Sequence, residues 1–192
     1  MSNFISIRNL HLYPLQADTA SELKYGEGIK IPGLVKVSVN PNMSEGTYWA
    51  DGIAYETVKK LGEVGLSIQA AAMDLKTQAA ICGHTYNEEA GTLICNADDV
   101  PPAFGMKYER VKADGTSRFI AINKVVFKLQ NDEGQTASDS IEFQDTGDLE
   151  ATATPTINNG EWRAMIEKND NNAEMIAKFF TAFVIADEAL RK

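Results

Sequence analysis

Cysteine and histidine are scarce in this sequence. Two cysteines and two histidines occur among 192 residues, and no apolar run approaches the roughly 18 residues that a membrane-spanning helix requires. The first residues, MSNFISIRNLHLYPLQ, also lack the charged and apolar regions of a signal peptide. We therefore expect one domain, residues 1–192, that folds in a reducing cytosol without membrane contact, with Cys82 and Cys95 as free thiols.

Basic residues are also few, and their shortage is uneven. The formal net charge is −9, and residues 129–162 contain no lysine or arginine. Because DNA binding depends on basic groups that displace phosphate counterions, this composition argues against specific nucleic-acid binding. The simplest interpretation of the acidic stretch is a solvated surface. Its acidic residues are Asp132, Glu133, Asp139, Glu142, Asp145, Asp148, Glu150 and Glu161.

No combination of residues predicts catalysis, a metal or a cofactor. Cys82 and His84 have the spacing Cys-x-His, and Cys95 follows at a distance. This pattern matches no closed zinc site, and it lacks a partner that would orient a nucleophile. A small buried residue is the simpler interpretation of Cys82, and His11 stands alone. We therefore expect neither an enzyme nor a bound cofactor.

Alternation of apolar and polar residues predicts strands. Val35, Val37 and Val39 alternate with polar residues, and the same period two continues over residues 63–70. A half-buried strand requires this pattern. Weaker strand patterns occupy residues 138–144, 148–154 and 161–167.

Residues 103–127 predict a long β-hairpin. An alternating apolar run leads to Asp114-Gly115, a pair that readily takes the positive φ angles of a tight turn. The return run, Arg118 to Phe127, is rich in β-branched and aromatic residues.

Two segments change to helical spacing. Asp74 can cap a short helix that ends at Gly83, a residue suited to the left-handed conformation. A second helix is predicted to begin at Asn171, with Glu174 as its capping-box partner. Its apolar face, which we expect to dock on the sheet, consists of Ile176, Phe179, Phe180 and Phe183. Many short strands with two helices indicate an antiparallel β-sandwich flanked by a helix.

Residues 40–60 predict a long polar loop that a compact sandwich does not need. Tyr48, Trp49 and Tyr55 lie on this segment, which offers no local core to bury them. Large aromatic residues in such a place indicate a surface for a partner. The alternative is that Trp49 folds back over its own sheet.

Three stretches, continued by the closing acidic strand and helix, resemble a known protein family. They are IPGLVKVSVNPNMSEGTYWADGIAYETVKK at 31–60, LGEVGLSIQAAAMDLKTQAAICGH at 61–84 and PPAFGMKYERVKADGTSRFIAINKVVF at 101–127. In order and spacing they resemble the major tail tube protein of bacteriophages with long, flexible, noncontractile tails. The resemblance implies an antiparallel β-sandwich or barrel with a flanking α-helix and a long inter-subunit loop.

The resemblance also implies a structural function in the virion tail. Such proteins form six-membered rings that stack into a tube, and genomic DNA passes through it from capsid to host without specific binding. The implied partners are further copies of the chain and the tape-measure, tail-terminator and distal tail proteins, with assembly in the host cytoplasm. Neighbouring inner strands would join edge to edge, with 103–127, 34–39 or 63–70 as candidates. Residues 1–30 would form an arm that orders on assembly.

Two sets of candidate residues follow. The candidates for inter-subunit contact are Tyr48, Trp49, Asp51 and Tyr55. The candidates for charge on the lumen, where repulsion would keep DNA from adhering, are Asp132, Glu133, Asp139, Glu142, Asp145 and Asp148. The alternative functions are a carbohydrate- or ligand-binding β-sandwich, such as an adhesin, and a hydrolase.

Overall fold

The computed structural model describes residues 2–71, 73–129, 136, 149–168 and 172–183. Within these residues the chain is mainly β, with antiparallel strands and two short helices, as the sequence predicted. The elements in chain order are β1 (Phe4–Asp18), β2 (Leu23–Tyr25), β3 (Ile29–Ile31), β4 (Leu34–Ala50), β5 (Ile53–Ala70), α1 (Leu75–Cys82), β6 (Thr85–Asn87), β7 (Thr92–Ile94), β8 (Ala103–Lys112), β9 (Ser117–Phe127), β10 (Leu149–Ala153), β11 (Arg163–Glu167) and α2 (Ala173–Ala177).

Nine of the described strands form one antiparallel sheet. Its hydrogen-bonded order is β2-β1-β8-β9-β10-β5-β4, with β3 pairing with β1 and β11 pairing with β9. Strand β9 pairs with β11 through residues 118–122 and with β10 through residues 125–127. Strand β4, at the end of this order, also contacts β1, but the described residues show no ladder between these two strands. The sheet therefore encloses a core and leaves a seam between β4 and β1.

The strongest local predictions are confirmed. Strands β8 and β9 form the expected hairpin, and Gly115 has a φ of 81° in its turn. The Asp74 side chain accepts a hydrogen bond of 3.0 Å from the Thr77 backbone N–H at the start of α1. Gly83 ends that helix with a φ of 75°. Side-chain capping and a left-handed glycine satisfy backbone groups that the helix leaves unpaired.

The sheet is buried on both faces along β8, where residues 104–109 are all buried. Alternate side chains of a strand point to opposite faces, so Phe104 and Met106 of β8 enter the inner cluster, whereas Gly105 and Lys107 face Phe183 and Phe179 on the other side. The inner cluster includes Leu12, Ile68, Phe104, Met106, Ile122 and Phe127. The outer cluster consists of Tyr13, Phe119, Ala121, Phe179 and Phe183, and it forms where residues 172–183 pack on the sheet.

Most of the predicted N-terminal arm is paired with the sheet in this structure. Strand β1 lies inside the sheet, between β8 on one side and β2 and β3 on the other. Leu10, Leu12 and Tyr13 have no solvent exposure. The alternation of this strand is broken by Asn9, which has a φ of 58°, and by a register shift between Arg8 and His11. This irregularity explains why the period-two pattern did not reveal the strand.

The second helix is shorter than predicted. It covers Ala173–Ala177, follows Asn172, and has no side-chain capping hydrogen bond; Asn171 lies outside the described residues. The carbonyl oxygens of Phe179 and Ala182 accept hydrogen bonds from Lys107 Nζ. These two carbonyl groups therefore point toward the sheet and not along a helix axis. The prediction that the apolar face docks on the sheet is confirmed.

Two of the three weak strand predictions are confirmed by β10 and β11. The third, 138–144, lies outside the described residues. No helix in the described part of the chain has the length and apolar character needed to span a membrane.

Candidate functional site

The segment predicted as a long loop is a β-hairpin. We call residues 40–60 the arm, which is a different segment from the N-terminal arm predicted for residues 1–30. Strands β4 and β5 stay paired from Leu34 and Ala70 to Ala50 and Ile53. Every residue of 40–49 and 51–60 is exposed. Period-two hydrophobicity reports a buried face, and the arm has none, so the pattern that identified the other strands could not identify this part.

A tight turn closes the arm. Asp51 and Gly52 are the two loop residues, with φ angles of 50° and 75°. Two positive φ angles between paired strands characterise the type I′ turn, for which Asp-Gly is a preferred sequence. This dipeptide was the signal in the sequence that could have predicted the hairpin.

The four predicted contact residues lie together at the arm tip. Tyr48, Trp49 and Tyr55 are 64%, 66% and 72% exposed, and Asp51 is in the turn. The rings of Tyr48 and Tyr55 lie edge to face, with centroids 6.3 Å apart. Trp49 does not fold back over its own sheet. The arm therefore presents large aromatic side chains to solvent instead of to its own core.

Apolar side chains line the rest of the arm. Six of the fifteen large hydrophobic residues that are exposed in the described part of the chain lie between residues 43 and 58. They are Met43, Tyr48, Trp49, Ile53, Tyr55 and Val58. A concentration of this kind is typical of interaction surfaces, whereas single exposed apolar residues need no explanation.

A cleft of about 590 Å³ opens at the seam between β1 and β4, and we call it the arginine cleft. Its walls come from Phe4–Ile7, from residues 34–39 of β4, and from β8, β9 and β11. Arg110, Arg118 and Arg163 lie in it. Sequence reasoning missed this site because its walls come from five strands that are far apart in the chain.

Two of the cleft arginines pack on the Phe4 ring, and one of them, Arg118, also forms an ion pair. The guanidinium carbons of Arg110 and Arg118 lie 4.1 and 5.0 Å from the centroid of the Phe4 ring, within cation–π range. Arg118 also binds Glu167 at 2.5 Å, and Lys112 binds the same carboxylate at 3.0 Å. Hydrogen bonds from Arg118 and then from Lys112 lower the pKa of Glu167.

The six candidate residues for lumen charge all lie outside the described residues. They are Asp132, Glu133, Asp139, Glu142, Asp145 and Asp148. Glu150 belongs to the same acidic stretch and lies within the described residues, where it forms an ion pair with Lys128 at 2.7 Å.

The two cysteines considered for a thiol or zinc site differ in exposure. Cys82 is buried at the end of α1, and Cys95 is exposed. His84 Nδ1 lies 2.7 Å from Asp99 Oδ2, and Asp99 also accepts a hydrogen bond from the Asn96 backbone N–H. The hydrogen bond from the Asn96 backbone, and then the one with His84, lower the pKa of Asp99. The described residues contain no group of three or more His, Cys, Asp or Glu side chains placed to hold a metal ion.

No protein-family model matches this chain. A search of the curated proteins also gives no match.

Proposed function

We propose that this chain is a structural subunit that polymerises through its arm, as the resemblance to phage tail tube proteins implies. The observation that carries the proposal is the exposure of every residue in 40–49 and 51–60, with three large aromatics at the tip. An isolated two-stranded hairpin is marginally stable in water. Packing against another subunit would bury its apolar side chains and stabilise it.

The position of the sheet edges supports edge-to-edge association through β4. In the predicted hairpin, β8 lies between β1 and β9, and β9 lies between β8 and the pair β10 and β11. Neither strand offers a free edge. Strand β4 pairs with β5 alone among the described strands. Of the earlier candidates for a shared wall, residues 34–39 are therefore the best placed to accept a neighbour's strand.

The proposed assembly is a six-membered ring that stacks into the tail tube of a virion. In that setting the function is mechanical, because the tube conducts DNA and no reaction is required. The tape-measure, tail-terminator and distal tail proteins would be its further partners. The acidic stretch 129–162 is suited to a DNA conduit, because it would repel phosphate groups instead of binding them.

Replacement of one arm residue tests this proposal. Trp49→Ala should weaken the contact by about 2 kcal/mol or more, so that the variant remains a folded monomer at concentrations where the wild type assembles. Electron microscopy shows whether rings and tubes form, and sedimentation velocity gives the size distribution. Val100→Ala is the matched control, because Val100 is 78% exposed and lies outside the arm.

Unchanged tubes from Trp49→Ala would remove the arm from the assembly contact. A wild-type protein that stays monomeric at high concentration and binds a carbohydrate in a glycan-array assay would instead support the alternative of an adhesin-like module.

A further inference from the structure

The arginine cleft carries an excess of positive charge in an acidic protein. Its fifteen lining residues include Lys36, Arg110, Arg118 and Arg163 and no acidic residue. The whole chain has 27 acidic and 18 basic residues, so this local balance is opposite to that of the molecule. A concave site lined by apolar and basic groups is suited to a ligand that has both apolar and anionic parts.

Two of the arginines oppose each other across neighbouring strands. Arg110 of β8 is the register partner of Arg118 of β9. Like charges in directly opposite positions destabilise a sheet. Glu167 binds Arg118, but Arg110 and Arg163 form no salt bridge within the described residues. A carboxylate that entered the cleft would relieve this repulsion.

The rim of the cleft is apolar and exposed. Ile5, Val35 and Met165 line it and are 69%, 56% and 54% exposed. Together with the six apolar residues of the arm, they make up nine of the fifteen exposed large hydrophobic residues in the described part of the chain. The arm and the cleft are therefore the two main apolar surfaces that this part leaves uncovered.

The arm tip has the complementary chemistry. Residues 46–58 contain two acidic residues, Asp51 and Glu56, and no basic residue. The nearest lysine along the arm, Lys59, already pairs with Glu45 at 3.0 Å. The tip thus combines two carboxylates with large aromatic side chains. Its residues are exposed, so the tip does not occupy the cleft of its own chain.

We propose that the arginine cleft is the socket that receives the arm tip of a second copy, with Asp51 and Glu56 as the carboxylates that it binds. This inference rests on the proposed function, because it states where the arm of one subunit docks on the next. The two contacting surfaces are different, so the interface is heterologous. Repetition of a heterologous interface produces a ring or a filament.

Charge reversal in the cleft is the first test. The variant Arg110→Glu/Arg163→Glu should fold and sediment as a monomer at concentrations where the wild type assembles. The control Lys24→Glu/Lys30→Glu changes the net charge equally at two exposed positions outside the cleft and should assemble. If the cleft variant does not fold, Arg110→Gln/Arg163→Gln removes the charges while retaining long polar side chains.

Mixing two defective variants is the second test. The cleft variant has an intact arm, and Trp49→Ala/Tyr55→Ala has an intact cleft. Each alone should be monomeric, whereas the mixture should form a 1:1 complex by sedimentation equilibrium. Its dissociation constant should be at least tenfold lower than that for self-association of either variant.

The outcomes separate this inference from the proposed function. Assembly by the cleft variant, with the arm variant monomeric, would overturn the socket and leave arm-mediated polymerisation standing. Assembly by the arm variant would contradict the proposed function itself. If the mixture forms no complex, or if the cleft binds inorganic phosphate while the cleft variant assembles normally, the socket is wrong.

Discussion

Lys107 is a cationic residue at the centre of strand β8, and it has no solvent exposure. Its Nζ donates hydrogen bonds to the carbonyl oxygens of Phe179, at 2.7 Å, and Ala182, at 2.9 Å. The centroids of the Phe179 and Phe183 rings lie 4.1 and 4.9 Å from the same Nζ atom. Burial lowers the pKa of Lys107 to about 7. One side chain thus fastens residues 179–183 to the sheet.

The lowered pKa predicts a pH-dependent stability. Between pH 7 and the ordinary lysine value of 10.5, the unfolded chain binds a proton at this site that the folded chain has released. The free energy of unfolding therefore rises with pH in this window, by at most ~1.4 kcal/mol per pH unit for one proton. Urea unfolding of the wild type and of Lys107→Met between pH 7 and 9.5 should show a flatter pH dependence in the variant.

The measurement ends at pH 9.5 so that the titration of Tyr13 does not contribute. Burial raises the pKa of Tyr13 to about 12. Above pH 10 the unfolded chain loses the phenolic proton while the folded chain keeps it, so the free energy of unfolding falls with pH there. Parallel pH profiles for the two proteins below pH 9.5 would contradict the titration assigned to Lys107. The comparison uses slopes, so the hydrogen bonds that Lys107→Met removes do not affect it.

At the scale of single residues, local chemistry was predictable and distant contacts were not. The cap at Asp74 and the turn at Gly115 follow from short-range geometry that the sequence states directly. The contact of Lys107 with Phe179 joins positions that are 72 residues apart, and no local pattern reports it.

Among the elements, the arm differs most from its prediction. Strands β4 and β5 were predicted only as far as one face is buried, near residues 34–39 and 63–70. Beyond these residues both faces are solvated, and cross-strand pairs such as Thr47 and Thr57, whose hydroxyl oxygens lie 3.3 Å apart, replace a core. Polar and apolar residues therefore occur without period, as they do in loops.

The arm turn provides a test at this scale. Gly52→Val places a β-branched side chain at a φ of 75°, which costs roughly 1–2 kcal/mol or more. The tip should become more sensitive to proteolysis and assembly should weaken, whereas thermal unfolding of the monomer should not change. Asp51→Asn is the control, because asparagine also suits the first position of a type I′ turn. A lowered unfolding temperature for Gly52→Val alone would show that the tip supports the core.

For the molecule as a whole, the antiparallel β class and the central hairpin could be predicted from alternation and turn chemistry. The arginine cleft could not, because it depends on how the sheet curves to bring β4 beside β1. The opposition of Arg110 and Arg118 could not be predicted either. A two-residue loop at Asp114-Gly115 would place Arg110 opposite Phe119, whereas the observed register pairs Arg110 with Arg118.

The core should fold without the arm. Met43 and Leu61 are register partners, so replacing residues 44–60 by Asn-Gly retains a two-residue hairpin connection. Because the removed residues, apart from Ala50, are exposed, the shortened chain should have the unfolding temperature of the wild type by calorimetry and should remain monomeric. Loss of cooperative unfolding would mean that the arm contributes to folding of the core.

Strand β4 begins at the cleft and ends at the arm. A row of subunits joined through these two places has direction: an unfilled cleft remains at one terminus and an unbound arm at the other. Growth and capping at the two termini would then require different proteins, one presenting an acidic aromatic projection and the other a basic cavity.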